Sequence, residues 1–302
     1  MTDFTAALQA ALDNGTMYET NFPTYDVAQT IALNISASTA GPFGFSLGGI
    51  KLNSQITDGA PVMKINVTGG SGTDVRYLNI RDFGIWGNGA EGDGLVIECD
   101  TNDKWLHNWK LEDIVIEGCG GNGAVIEGSI FEGSISNCWA SSNEAAGFVL
   151  QHYAGGICSA IKMIGGGARK NGANGIRMLD GMNDLKAFGA DFIENGDTGI
   201  WAEQGVTLLN GCHFENNALA GVAFQNFATM IGCTGGTWGP QTYLALTSAL
   251  AGPCEMIGCS NPWYGTGPDP TMVAQTGGAG TLYFVGNGTV NAISPVALVR
   301  PF

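Results

Sequence analysis

The chain of 302 residues contains 48 glycines, 44% hydrophobic residues and only 13% charged ones. That apolar share supports a buried core and excludes disorder, and glycines without a triplet period exclude collagen. Twelve Lys and Arg against 27 Asp and Glu give a net charge of −15, the wrong sign for a nucleic-acid partner, whose affinity is dominated by phosphate contacts.

No apolar run approaches the roughly 18–20 residues that cross a bilayer, so no membrane insertion is expected. From the N-terminus, Met1 to Ala11 shows neither the basic nor the apolar stretch of a signal peptide. Residues 1–15 read as a capping helix: Thr2 or Asp3 at its N-cap, Phe4, Ala7, Leu8 and Ala11 on one face, Gly15 at its end. Irregular first coils follow over 17–75, regular coils over 76–236 and an irregular part over 237–302, all within one domain. In that last part Pro262 to Pro270 is a turn-rich loop and Thr281 to Val285 a strand.

The regular coils are a repeat. A glycine opens an alternating apolar stretch at Gly94, Gly123, Gly147, Gly175, Gly199 and Gly221, with spacings of 29, 24, 28, 24 and 22 residues. Four residues before the last four glycines stand Asn143, Asn171, Asn195 and Asn217. A second short apolar element lies upstream, as in Asp191-Phe-Ile-Glu194 and His213-Phe-Glu215. Short strands and Asn/Gly turns with no helical period predict an all-β, right-handed parallel β-helix, a solenoid of stacked coils. Asn tolerates the left-handed conformation of a sharp bend, and its amide can bond the Asn one coil above. An open solenoid end exposes core, which is why a capping helix is expected.

Eight cysteines form no C-x-x-C pair, and with three histidines a zinc site is not expected. Cys119, Cys212, Cys233 and Cys259 each follow a glycine and read as stacked, reduced core thiols. No cofactor signature is present. The acids read as turn residues (Asp180, Asp184, Asp191, Glu194 and Asp197) lack a calcium-loop pattern, so no metal is assigned.

The amphipathic start, the Tyr-rich segment Met17-Tyr18 with Pro23 to Val27, and the Asn-x-x-x-Gly-Ile/Val coils together resemble the pectate-lyase-like β-helix superfamily. Within it the chain looks most like bacteriophage tailspikes and related polysaccharide-processing proteins. The resemblance covers most of the chain but is architectural. The epimerases' Asp-Pro-His is absent, since Pro268-Asp269-Pro270 lacks the histidine. The polygalacturonases' Gly-His-Gly and the pectate lyases' Asp-His are absent too. The resemblance implies a phage tailspike- or fibre-like protein that binds a bacterial surface polysaccharide, is homotrimeric and is seated in the virion tail with other tail proteins. It implies assembly in the host cytoplasm; a secreted, free-standing lyase, epimerase or hydrolase and a structural or adhesive β-helix are the alternatives. Against the tail reading, the cap starts at residue 2 and leaves no room before it for a virion anchor.

Candidate chemistry follows from strand alternation. Positions one and three after each glycine are apolar and point inward, so positions two and four point outward. Position four then forms an outer ladder of Glu98, Glu127, Gln151, Leu179, Glu203 and Gln225, and position two supplies Val96, Val125, Val149, Arg177, Trp201 and Ala223. Coils lie about 4.8 Å apart, which makes Glu98 and Glu127 neighbours that share a proton or a cation more readily than isolated acids. Such a pair suits glycoside hydrolysis. Gln151, Arg177, Trp201, Glu203 and Gln225 would hold the sugar. The same acids also serve as solubilising charge on an exposed face. His107, His152 and His213 do not cluster in the repeat register, and Lys162 to Lys186 is the one basic stretch, a site for an anion or a solvated face.

Overall fold

The glycine repeat builds one side of the molecule. In a computed structural model, residues 9–10, 24–36, 44–68, 74–99, 105–152, 158–179, 182–203, 205–224, 227–236, 242–246, 254–260, 273–275, 281–285, 292–293 and 297–299 are described. A first sheet of eleven strands runs from Ile31–Ser36 through Leu95–Cys99, Ala124–Gly128, Phe148–Gln151, Ile176–Met178, Thr198–Ala202 and Ala220–Phe224 to Ala292–Ile293. Its strands pair in parallel in the register expected from the repeat: Leu95, Ala124, Phe148, Ile176, Ile200 and Val222 lie in one column, one coil apart. These residues, with Ile97, Ile126, Leu150, Met178, Ala202 and Phe224 two positions on, stack inside the tube and are buried.

A second sheet of seventeen strands closes the tube. Each of its regular coils bends at a left-handed residue along this sheet. That residue is Asp82, Asp113 or Asn137 in the earlier coils and Gly165, Gly189, Gly211, Gly232 or Gly258 in the later ones. A Cβ at Gly189, Gly211, Gly232 or Gly258 would meet no atom within 4 Å, so backbone conformation and not space selects glycine there. Five residues after Asp113, Asn137, Gly165, Gly189 and Gly211 comes a second left-handed corner, at Gly118, Ser142, Lys170, Glu194 and Asn216. Six residues after that the inward column of the first sheet begins again. A short third sheet, Val75–Arg76, Leu106–His107, Ile130–Phe131 and Cys158–Ser159, fills the remaining side in the earlier coils. The fold is a right-handed parallel β-helix.

The Asn ladder forms as expected, with one correction. Asn143, Asn171, Asn195 and Asn217 are buried, and each Nδ2 of the first three donates to the next Oδ1 at 2.9, 2.9 and 2.8 Å. The left-handed residue is the one before each Asn, not the Asn itself. The side chain's task is therefore to satisfy buried peptide groups, as where Asn195 Nδ2 reaches the Ala168 carbonyl at 3.1 Å.

The thiols also divide differently from the expected single stack. Cys212, Cys233 and Cys259 follow the first corner, whereas Cys119 follows the second and donates its N–H to Asn143 Oδ1 at 3.0 Å, at the head of the ladder. The seven cysteines whose side chains are described are buried. Burial, with Glu91 and Asp93 nearby, pushes the Cys119 thiol up to about 12, so it stays a thiol at neutral pH.

The repeat glycines are close-approach positions. A Cβ at Gly175 would stand 2.4 Å from the Gly199 carbonyl oxygen, and at Gly199 2.5 Å from that of Gly221. Gly175→Ala is expected to destabilise the chain by about 1–3 kcal/mol through overpacking; an unchanged urea midpoint would contradict it.

Of the residues assigned to the capping helix, only Gln9 and Ala10, both helical, fall within the described set. The Gln9 amide bonds the peptide of Ala32, accepting its N–H at 2.8 Å and donating to its carbonyl, and so covers polar groups on the first strand of the sheet. Beyond Gly236, Thr242–Leu246, Val273–Gln275 and Ala292–Ile293 extend the first sheet, and Cys254–Ile257, Thr281–Val285 and Ala297–Val299 extend the second.

Candidate functional site

The first sheet's outer face carries the expected ladder. Glu98 pairs in register with Asn66 on one side and Glu127 on the other, and Glu127 with Gln151. Lys64, outward at position two, places its Nζ 2.5 Å from Glu98 Oε2. Gln151 Nε2 donates to Glu127 Oε2 at 2.6 Å, so its amide is engaged by the acid.

Burial raises the Glu127 carboxyl above its ordinary value; the Gln151 hydrogen bond opposes this, Glu98 adds to it, Lys64 opposes it and Asp93 adds to it. A half-buried acid with raised proton affinity, beside a second carboxylate that faces an ammonium, is the asymmetry that separates an acid from a base.

The neighbouring columns differ in part from the expectation. Val96, Val125 and Val149 point away from the tube yet are 5–7% exposed. They form a separate small apolar cluster with Ala146, against which Leu179 packs, so the face is covered there and opens only on either side. Ala223 is likewise buried. Arg177 and Trp201 are partners on adjacent coils, Arg177 exposed and Trp201 half-buried. Trp201 Nε1 donates to Glu203 Oε1 at 3.3 Å. These three form a second group, Arg177 two coils from Glu127 and Trp201 and Glu203 three. Gln225 and Asp180 lie outside the described residues.

The histidines are less isolated than the repeat register implied. His107 lies beside the stacked rings of Trp105 and Phe131, 5.7 and 5.4 Å away, with Asp74 at 3.7 Å and Glu132 at 3.9 Å. His213, on the second sheet's outer face, is one coil from Asp191 and bonds Thr234 Oγ1 at 3.0 Å and Glu215 Oε2 at 3.2 Å. Burial raises the Asp191 carboxyl and His213 lowers it. Asp191 and Asp184 stand in strands and not in turns. The signal for this cluster was present: Asp191-Phe-Ile and His213-Phe-Glu occupy equivalent places in consecutive units. His152 follows Gln151, its Nδ1 buried without a hydrogen-bond partner.

The basic stretch does not make one patch. Lys162 and Lys186 are neighbours on the second sheet, Lys170 pairs with Glu194 at 3.4 Å, and Arg177 lies on the first sheet.

No protein-family model matches the chain, and no curated protein matches its sequence. Among solved structures it is similar to ORF18 of Geobacillus virus E2, with a TM-score of 0.68 and 18% identity over 94% of this chain and 59% of that one. The enzymatically active domain of tailspike protein 2 of bacteriophage CBA120 gives 0.62 and 12%, over 93% of this chain and 45% of that one. The A-module of the Azotobacter vinelandii mannuronan C-5 epimerase AlgE4 gives 0.58 and 15%, over 100% and 94%. The chain thus spans about half of the two phage chains' length. At these identities the likeness is one of fold, a right-handed parallel β-helix.

Proposed function

We propose that the chain is a tailspike- or fibre-like receptor-binding protein that binds a bacterial surface polysaccharide and hydrolyses it at Glu98 and Glu127. The observation that carries this reading is the in-register pair itself, with Glu127 raised in proton affinity and Glu98 facing Lys64. In this mechanism Glu127 protonates the glycosidic oxygen and Glu98 attacks the anomeric carbon or activates water. A coil spacing of about 4.8 Å lies near the roughly 5 Å separation of double-displacement enzymes and favours retention of configuration. Trp201 stacks a ring further along, with Arg177 and Glu203 bonding hydroxyls. The tailspike similarity supports a place in the virion tail, and a trimer joined to other tail proteins belongs to the same proposal.

The test is a reducing-end assay, with absorbance at 235 nm followed in parallel, on a panel of bacterial polysaccharides. New reducing ends without absorbance are expected, with a rate that falls as pH rises through the raised Glu127 pKa, because the acid must hold its proton. Since Lys64 lowers that pKa, Lys64→Met should move the falling limb to higher pH. Absorbance gain would favour the second reading, a free-standing lyase, because elimination leaves the absorbing double bond in its product. Silence with glycan binding intact would overturn cleavage and leave a binding protein.

A further inference from the structure

A cleft of about 400 Å³ on the second sheet, separate from the Glu98–Glu127 face, is lined by Gly48, Gly49, Lys51, Asp82, Trp86 and Asp113 among others. That volume lies within the range of small-molecule sites.

Its walls have identifiable causes. Between the partners Ser46↔Arg81 and Ile50↔Phe83 the strand Gly44–Ser54 carries surplus residues. Among them Gly48 and Gly49 take φ of 59° and 80° and bulge out of the sheet. The floor is an indole laid flat on the tube: a Cβ at Gly84 would stand 1.9 Å from Trp86 Cζ3, so the ring occupies the space that glycine leaves. Asp82 and Asp113 hold the left-handed corner in successive coils, with φ of 60° and 53°, which brings their carboxylates to the same cleft.

The chemistry of this lining is that of a cation site. The chain's own ammonium already lies on the indole, Lys51 Nζ being 4.7 Å from the Trp86 ring centroid. Two carboxylates, Asp82 and Asp113, line the same cleft. Asp82 accepts from Ser46 Oγ at 2.5 Å and pairs with Arg81 at 3.4 Å, and Asp113 accepts from Asn137 Nδ2 at 2.6 Å. A carboxylate has about four acceptor sites, so both retain capacity for a ligand's N–H groups. An apolar ring face for the indole and an ammonium for the carboxylates are combined in a protonated amino sugar. A uronate would meet two like charges, and an N-acetylated sugar offers no cation.

We propose that this cleft binds an amino-sugar unit with a free ammonium, which displaces Lys51 from Trp86. The proposal stands apart from the Glu98–Glu127 reading, because its readout is binding and needs no cleavage.

The test is calorimetric titration of the full chain, at physiological ionic strength, with β-1,4-glucosamine trimer, its fully N-acetylated counterpart and a mannuronate trimer. The glucosamine trimer is expected to bind at one site, and the other two to bind at least tenfold more weakly. Lys51→Ala should tighten glucosamine binding about three- to tenfold by removing the internal competitor, and Trp86→Ala should abolish it. Asp113→Asn should weaken it about five- to tenfold without strain, since Asn holds the equivalent corner at position 137. Asp58→Asn, an equal charge change in an exposed turn, should have no effect. Equal binding of the N-acetylated trimer, weaker binding by Lys51→Ala, or an equal loss in Asp58→Asn would each overturn the proposal, the last by showing attraction to net charge alone.

Discussion

Glu127→Gln is expected to lower depolymerisation by 10²–10⁴, the usual contribution of a positioned proton donor, while leaving the fold intact. The amide has nearly the shape of the acid and can still meet Gln151, so the groove is preserved and only the transferable proton is lost. Stability should move in the opposite direction. The folded-state pKa of Glu127 lies above its unfolded value, so the native state binds more protons in that interval. Wild-type stability therefore falls as pH rises from the unfolded pKa through the folded one. The variant lacks this cost and should melt at or above the wild-type temperature at pH 7, the difference closing as pH drops toward 4. Retained activity would remove Glu127 from the chemistry. Lost activity accompanied by a lowered melting temperature would mark damage to the fold.

Asn195→Ala should cost about 3–5 kcal/mol. The alanine removes donation to Asn217 Oδ1 at 2.8 Å and to the Ala168 carbonyl at 3.1 Å. It also leaves the Asn171 N–H and Nδ2 without the oxygen they reach at 3.3 and 2.9 Å. All of these groups are buried, and each unsatisfied one costs about 1–3 kcal/mol, with partial relief from relaxation. The comparison that isolates burial is Asn66→Ala. Asn66 also bonds an asparagine one coil away, Asn34, at 2.9 Å, but on the exposed face, and its loss should stay within about 0.5 kcal/mol. Similar urea midpoints for the two variants would refute this account of the ladder.

The first sheet was legible because its signal is doubly redundant. A glycine opens each of the six copies from Gly94 to Gly221, and inward positions one and three are apolar in every copy, so a one-residue slip would expose the whole column. The corners were not legible in the same way. The second corner is held by Gly118, Ser142, Lys170, Glu194 and Asn216, residues with no shared side-chain property, and the backbone conformation they share leaves no compositional trace. For the same reason Cys119 was grouped with thiols of the other corner: both corners are a left-handed residue followed by a buried one. The Glu98–Glu127 register was readable from spacing alone. The burial of Val96, Val125 and Val149 was not, since it depends on packing with Ala146 and with Leu179, the one apolar residue of the position-four ladder.

The counts between corners bear on how such a chain can change. From Asp113 to Asn216, first corner to second is five residues in each coil and second corner to the inward column six, while the period varies from 22 to 29. In these coils all of the variation falls on the stretch that leads from the first sheet to the second, where the short third sheet runs as far as Cys158–Ser159. The molecule thus has a fixed spine and one open margin. Segments can be lengthened, trimmed or exchanged in that margin without rethreading a single coil, and new surface chemistry can be written there while the rest of the chain keeps its place.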